Sequence, residues 1–102
     1  MSLLSRFLSP RSREALTGTW RQTGAAQSTE MIFHSDGRLE YRILEGSVLQ
    51  IMKLTYRVEG NEIVSDQPSS PREERSTFRF EGPNVLVLTY GGEESRYERG
   101  DG

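Results

Sequence analysis

From Thr17 onward, apolar and polar residues alternate with a period of two, and turn-forming residues recur at roughly 8–12-residue intervals. In one such stretch Leu39, Tyr41 and Ile43 alternate with charged residues. Because neighbouring residues of a strand point to opposite faces, each stretch has one apolar and one polar face. The pattern therefore predicts an all-β chain, an antiparallel sandwich or barrel.

Turn signals such as Asp36-Gly37 and Gly91-Gly92 divide this region into eight predicted strands. Their approximate bounds are Thr17–Thr23, Thr29–Ser35, Arg38–Leu44, Leu49–Val58, Glu62–Ser65, Arg75–Glu81, Val85–Tyr90 and Glu93–Arg99. Eight short strands joined by short turns can close as an up-and-down antiparallel barrel, which leaves no exposed sheet edge. We therefore expect an eight-stranded barrel in which the first strand pairs with the last.

We divide the chain into an N-terminal helical segment (1–15), a barrel domain (16–99) and a disordered tail (100–102). The segment Leu3–Leu8 has apolar residues at helical spacing, and Ser9-Pro10 suits the start of a short helix. The longest apolar run there is two residues, too short for the hydrophobic region of a secretory signal. We therefore expect a cytoplasmic protein.

Composition excludes several kinds of chemistry. The chain has no Cys and one His, so neither a thiolate metal site nor a multi-His site can form within it, and we expect no cofactor or bound metal. Thirteen basic and fifteen acidic residues give a net charge of −2, which argues against nucleic-acid binding. No apolar run approaches the ~18 residues of a membrane span, and we expect none.

Four stretches carry a resemblance to a known family: Leu16-Thr17-Gly18-Thr19-Trp20, Ile32 to Leu39, Thr55 to Asn61, and Tyr97-Glu98-Arg99. With them the chain resembles the small bacterial lipocalin-like domains, which share the lipocalin or calycin type of β-barrel. In such families a Gly-x-Trp opens the first strand, and a basic residue of the last strand covers the Trp ring. The resemblance assigns these roles to Gly18, Trp20 and Arg99. It implies a non-enzymatic domain that binds a small molecule.

Large side chains on the inward register define a candidate ligand cavity. Its predicted lining residues are Phe33, Tyr41, Met52, Tyr56, Phe78 and Tyr90. All four tyrosines of the chain fall on this register, and buried hydroxyl groups need hydrogen-bond partners. Either they orient the polar group of a ligand, or they lie near the barrel ends and reach water. The expected ligand is small and mostly apolar, with one polar group.

Other residues that carry chemistry have simpler interpretations. His34 precedes Ser35 and Asp36, but adjacent strand residues point to opposite faces and cannot form a catalytic triad. The carboxylate pairs Glu73-Glu74 and Glu93-Glu94 flank turns, and we expect both to be solvated. With no nucleophile–base pair in view, we predict that the protein is not an enzyme.

The outward face of the fourth strand is an exception to the polar exterior, because it carries Leu49 and Ile51. Either the N-terminal segment or a second subunit would cover these residues. The alternative function is therefore a protein-interaction or homo-oligomeric module with a filled core. It would associate through Leu49 and Ile51 or through Leu3–Leu8.

Overall fold

The computed structural model describes residues 13–22, 28–69 and 71–100. These residues form eight strands: β1 (Gly18–Gln22), β2 (Ser28–Phe33), β3 (Arg38–Glu45), β4 (Val48–Glu59), β5 (Glu62–Asp66), β6 (Glu74–Phe80), β7 (Val85–Tyr90) and β8 (Glu93–Arg99). All neighbouring strands are antiparallel, and β1 pairs with both β2 and β8. The sheet is a closed barrel with the strands in chain order. The predicted fold class is confirmed.

Two of the strand boundaries that differ from the prediction involve candidate functional residues. β2 ends at Phe33 rather than Ser35, because the His34 amide donates to the Arg38 carbonyl at 2.9 Å and closes a tight hairpin. β6 begins at Glu74, a residue that the sequence pattern assigned to the preceding loop. Glu74 pairs with Ser65 and so enters the inner register of the barrel.

One end of the barrel, here called the closed end, is sealed by apolar side chains. Residues 13–16 form a turn of helix across it. Leu16 and Trp20 are fully buried beneath this turn. Further into the barrel, the Phe33 ring meets Tyr56 edge-on at 5.0 Å, and Phe78 meets Phe80 in the same way at 5.8 Å. The aromatic core therefore fills the closed half of the barrel.

Charged side chains form ion pairs across the outer face of β4 to β8. Arg75 reaches Glu59 and Glu62, and Arg79 reaches Glu81 and Glu94. Such exposed pairs contribute only tenths of a kcal/mol each. They also lie beside apolar residues: Val64 stands between Arg57 and Arg75 in the register and is only 1% exposed. We infer that the aliphatic stems of the arginines cover it.

β4 extends beyond β5 at the opposite end of the barrel. It pairs with β3 from Val48 to Thr55, but its pairing with β5 begins only at Thr55. Residues 48–54 therefore have a strand partner on one side alone among the described residues. On their outer face Leu49 is 54% exposed and Ile51 46% exposed. The proposed covering segment Leu3–Leu8 and the Ser9-Pro10 helix start lie outside the described residues.

Candidate functional site

The three signature residues meet at the closed end. The indole Nε1 of Trp20 donates to the Leu16 carbonyl at 2.8 Å. The Arg99 guanidinium lies 4.2 Å from the centre of the Trp20 ring and donates to the Ala15 and Thr17 carbonyls at 2.8 and 3.2 Å. Arg99 thus holds the helical turn, the first strand and the last strand together. Among the described residues, this end of the barrel is therefore closed by packed side chains, a structural plug in which Leu16 and Trp20 are fully buried.

Gly18 is required at this plug for two reasons. Its φ of +125° is a backbone conformation that side-chain-bearing residues rarely adopt. A Cβ atom there would also lie 3.1 Å from Nη1 of Arg99, closer than ordinary contact. The Gly-x-Trp pattern therefore follows from the close approach of Arg99 to the first strand.

The opposite half of the barrel contains a cavity of about 460 Å³ that opens at the end where β4 extends beyond β5. This volume lies within the range of small-molecule sites in proteins. Its lining comes from every strand except β1. The lining residues are Met31, Phe33, Leu39, Tyr41, Met52, Leu54, Ile63, Ser65, Gln67, Arg72, Glu74, Ser76, Leu88, Tyr90, Ser95 and Tyr97.

The lining divides into two walls of different chemistry. The apolar wall comes mainly from β2, β3 and β4, which contribute Met31, Phe33, Leu39, Met52 and Leu54. The other wall comes from β5 to β8 and carries most of the polar lining residues, Ser65, Glu74, Ser76, Ser95 and Tyr97, here called the polar wall. Ile63 of β5 and Leu88 and Tyr90 of β7 also line this side. Alternation places all these side chains on the inner face. The cavity is therefore amphipathic across its width.

Tyr97 stands at the deep end of the polar wall and is only 3% exposed. Burial raises the pKa of its phenol well above the ordinary value, and the interaction with Tyr41 raises it further, while a hydrogen bond with Ser95 acts in the opposite direction. The phenol is therefore neutral throughout the physiological range. A neutral Tyr97 can both donate and accept hydrogen bonds.

The mouth of the cavity carries the only charged side chains among the described lining residues, Arg72 and Glu74. Their Nε and Oε1 atoms are 3.5 Å apart, and the side chains are 77% and 41% exposed respectively. The Asp66 carboxylate accepts a hydrogen bond from the Arg72 backbone amide at 2.7 Å and so holds Arg72 near the end of β5. Glu74 is the less exposed of the two charges and belongs to the inner face of β6.

The structure brings together four of the six predicted lining residues. Phe33, Tyr41, Met52 and Tyr90 line the cavity. The remaining two belong to the core of the closed half and do not contact the cavity. Tyr56 is 6% exposed and donates to the His34 carbonyl at 2.9 Å, with the Arg13 guanidinium 5.7 Å from its ring. Phe78 is 8% exposed and packs against Phe80.

Sequence reasoning missed most of the polar wall. Ser65 and Ser95 are the clearest cases, because both occupy inward positions of predicted strands and both line the cavity. The sequence pattern assigns Glu74 to a solvated loop, but β6 begins at this residue and places it in the cavity lining. The useful signal was period-two alternation applied to small polar residues as well as to apolar ones.

His34 lies on the outer face, as its register predicts. Its Nε2 atom is 2.9 Å from Oε2 of Glu40, and Arg42 reaches the other carboxylate oxygen at 3.1 Å. The hydrogen bonds from His34 and then from Arg42 lower the pKa of Glu40. Within the described parts of the chain, no three His, Asp or Glu side chains are grouped so as to hold a metal ion.

Comparisons with known proteins identify no relative of this chain. No protein-family model matches the chain, and neither the curated proteins nor the solved structures contain a significant match. The eight-stranded up-and-down barrel is compatible with a lipocalin-like fold. No helix of the described residues has the length and apolar character needed to cross a membrane.

Proposed function

We propose that this domain is a lipocalin-like, non-enzymatic carrier or receptor that binds one small, mostly apolar molecule in the open half of its barrel. The observation that carries the proposal is the 460 Å³ cavity, sealed below by the aromatic core and open above. A well-formed apolar pocket with a few convergent polar groups is the usual form of a ligand site. The cavity also weighs against a completely filled core.

Titration with a fluorescent apolar probe tests the proposal. N-phenyl-1-naphthylamine is uncharged and brightens when it leaves water. Ser76 faces the cavity and its neighbour Thr77 faces outward, so S76F fills the cavity while T77F adds the same ring outside. We expect saturable binding by the native protein and T77F, and at least about tenfold weaker binding by S76F.

Thermal unfolding of both variants checks that each one folds. If a folded S76F binds the probe as tightly as the native protein, the dye occupies another surface and the cavity proposal is wrong. If the native protein binds none of the probe at protein concentrations of tens of micromolar, the proposal is also wrong.

A second candidate function rests on a separate observation, the projecting part of β4. Residues 48–54 present an edge that no described strand pairs, and Val48, Leu49 and Ile51 are about half exposed. Unpaired apolar edges associate readily with a second strand. We propose homodimerisation through this edge as the alternative role of the domain.

Solution mass decides this alternative. Analytical ultracentrifugation of the native protein and of I51K separates the two outcomes, because a buried lysine at the centre of a dimer interface is costly. A dimer that I51K converts to a monomer supports the alternative. A native monomer at 100 micromolar contradicts it.

A further inference from the structure

The distribution of polar groups inside the cavity restricts the ligand further, an inference that rests on the proposed function. Hydroxyl groups line the cavity in two places: Ser65 and Ser76 lie beside Glu74, and Ser95 and Tyr97 lie on the far side of Leu88 and Tyr90 of β7. Each hydroxyl both donates and accepts hydrogen bonds. The facing wall of β2 to β4 offers only apolar side chains and the Tyr41 hydroxyl. A ligand that satisfies both walls needs one polar end or edge and one apolar side.

Glu74 sets the sign of charge that this wall accepts. It pairs with Ser65 across the β5–β6 ladder and lies two residues from Ser76 on the same inner face. Its carboxylate accepts hydrogen bonds and repels a second negative charge. The Arg72 guanidinium also lines the cavity, 3.5 Å from the Glu74 carboxylate, but its side chain is 77% exposed against 41% for Glu74, so water screens the charge of Arg72 more strongly. A ligand carboxylate against this wall would face repulsion and desolvation together.

We propose that the cavity selects a ligand whose polar group donates hydrogen bonds and carries no negative charge, an alcohol or an amine. This group lies against the wall of Ser65, Glu74 and Ser76. The apolar part of the ligand packs on Met31, Phe33 and the side chains of β4. The cavity thus discriminates against fatty-acid-like anions of the same length.

A matched series of ten-carbon probes tests this selectivity. 1-Decanol, decylamine and decanoate share one chain and differ in the head group. Each is used to displace N-phenyl-1-naphthylamine from the native protein at pH 7, at concentrations where the probes do not form micelles. We expect decanol and decylamine each to displace the dye at concentrations at least about tenfold lower than decanoate requires.

Two variants with the same charge change identify the residue responsible. E74Q removes the carboxylate at the cavity wall. E94Q removes one from the outer face near the same end of the barrel, where Glu94 pairs with Arg79. We expect E74Q to reduce the preference for decylamine over decanoate by at least about fivefold, the factor for unit charges about 4 Å apart in water. We expect E94Q to leave it unchanged.

The outcomes distinguish failure of the proposed selectivity from failure of the proposed ligand site. Equal or tighter binding of decanoate overturns the selectivity, and so does an equal effect of E74Q and E94Q. In both cases dye binding that S76F abolishes still supports the cavity as a ligand site. Absence of dye binding overturns the cavity proposal itself.

Discussion

Replacing Arg99 with methionine removes the cation from the closed end while keeping a long apolar side chain. The native guanidinium stacks on Trp20 and donates to the carbonyls of Ala15 and Thr17. R99M loses these three interactions together and leaves two half-buried carbonyl groups without their donor. R99K retains a charge, but a single ammonium cannot reproduce the planar fork that reaches both carbonyls and the ring.

The interactions give the size of the effect. An Arg over an indole ring contributes ~0.5–2 kcal/mol, and a hydrogen bond from a charged donor contributes ~1.5–3 kcal/mol when fully buried. Arg99 is partly exposed, so solvent reduces both contributions. We therefore expect R99M to lower the free energy of unfolding by about 2–3 kcal/mol. For a domain of this size that corresponds to a fall in Tm of roughly 10–20 °C.

Urea unfolding followed by far-UV circular dichroism measures this loss without relying on the fluorescence of Trp20, which the substitution itself changes. R96M is the matched control, since Arg96 lies on the same strand and forms an exposed ion pair with Glu81. It is expected to lose less than about 1 kcal/mol. If R99M and R96M lose equal amounts, Arg99 does not hold the closed end together and the reasoning is refuted.

Three further substitutions test individual features. G18A is expected to destabilise the fold by about 1–3 kcal/mol, and more than G60A. Gly60 has a φ of +63°, in the left-handed region that other residues can adopt, and an added Cβ there meets nothing within 4 Å, whereas Gly18 has a φ of +125° and lies against Arg99; urea unfolding of both variants compares them. The neutral buried Tyr97 should make the protein lose stability as pH rises above about 10, where the unfolded phenol ionises and the folded one does not, by ~1.4 kcal/mol per pH unit. Y97F should lack this contribution, and identical alkaline slopes for the two proteins would contradict it. Because folding lowers the pKa of Glu40, its ionised carboxylate stabilises the fold at pH values above 4.5, the ordinary pKa of the group. This stabilisation is lost as the pH falls through the lower pKa of the folded state. E40Q should therefore be less stable than the native protein at pH 7, with a difference that narrows toward pH 3; a constant difference would contradict the assignment.

The closed end could be predicted from sequence because its residues lie in recognisable motifs on the first and last strands, which pair when the barrel closes. Gly18 and Trp20 share one strand, and Arg99 ends the strand that must pair with it once eight strands close. Alternation also placed Phe33, Tyr41 and Met52 correctly on the inner face. The inward faces and the proximity of the first and last strands need only the period of two and antiparallel closure, whereas the stacking of Arg99 on Trp20 was expected from the resemblance.

Alternation predicts which residues face inward, but it does not determine their height, the position of each one along the barrel axis. Tyr56 and Phe78 face inward as predicted, but they pack in the closed half and not around the cavity. Height depends on the stagger of neighbouring strands, and β4 pairs with β5 only from Thr55 onward. The cavity volume in the open half depends on the sizes of inward side chains from seven strands, and it is large where small residues such as Ser76 and Ser95 occur. No single stretch of sequence therefore predicts the cavity volume.

The position of a bound apolar probe tests most directly whether the cavity is a ligand site. Two-dimensional ¹H–¹⁵N NMR of the native protein, titrated with 1-decanol, locates the probe through changes in backbone amide shifts. We predict that the largest changes cluster around Ser76, Leu88 and Ser95, with smaller ones at the outer residues Leu49 and Ile51. Changes confined to those two outer residues, or no changes at saturating probe, would contradict a ligand site inside the barrel.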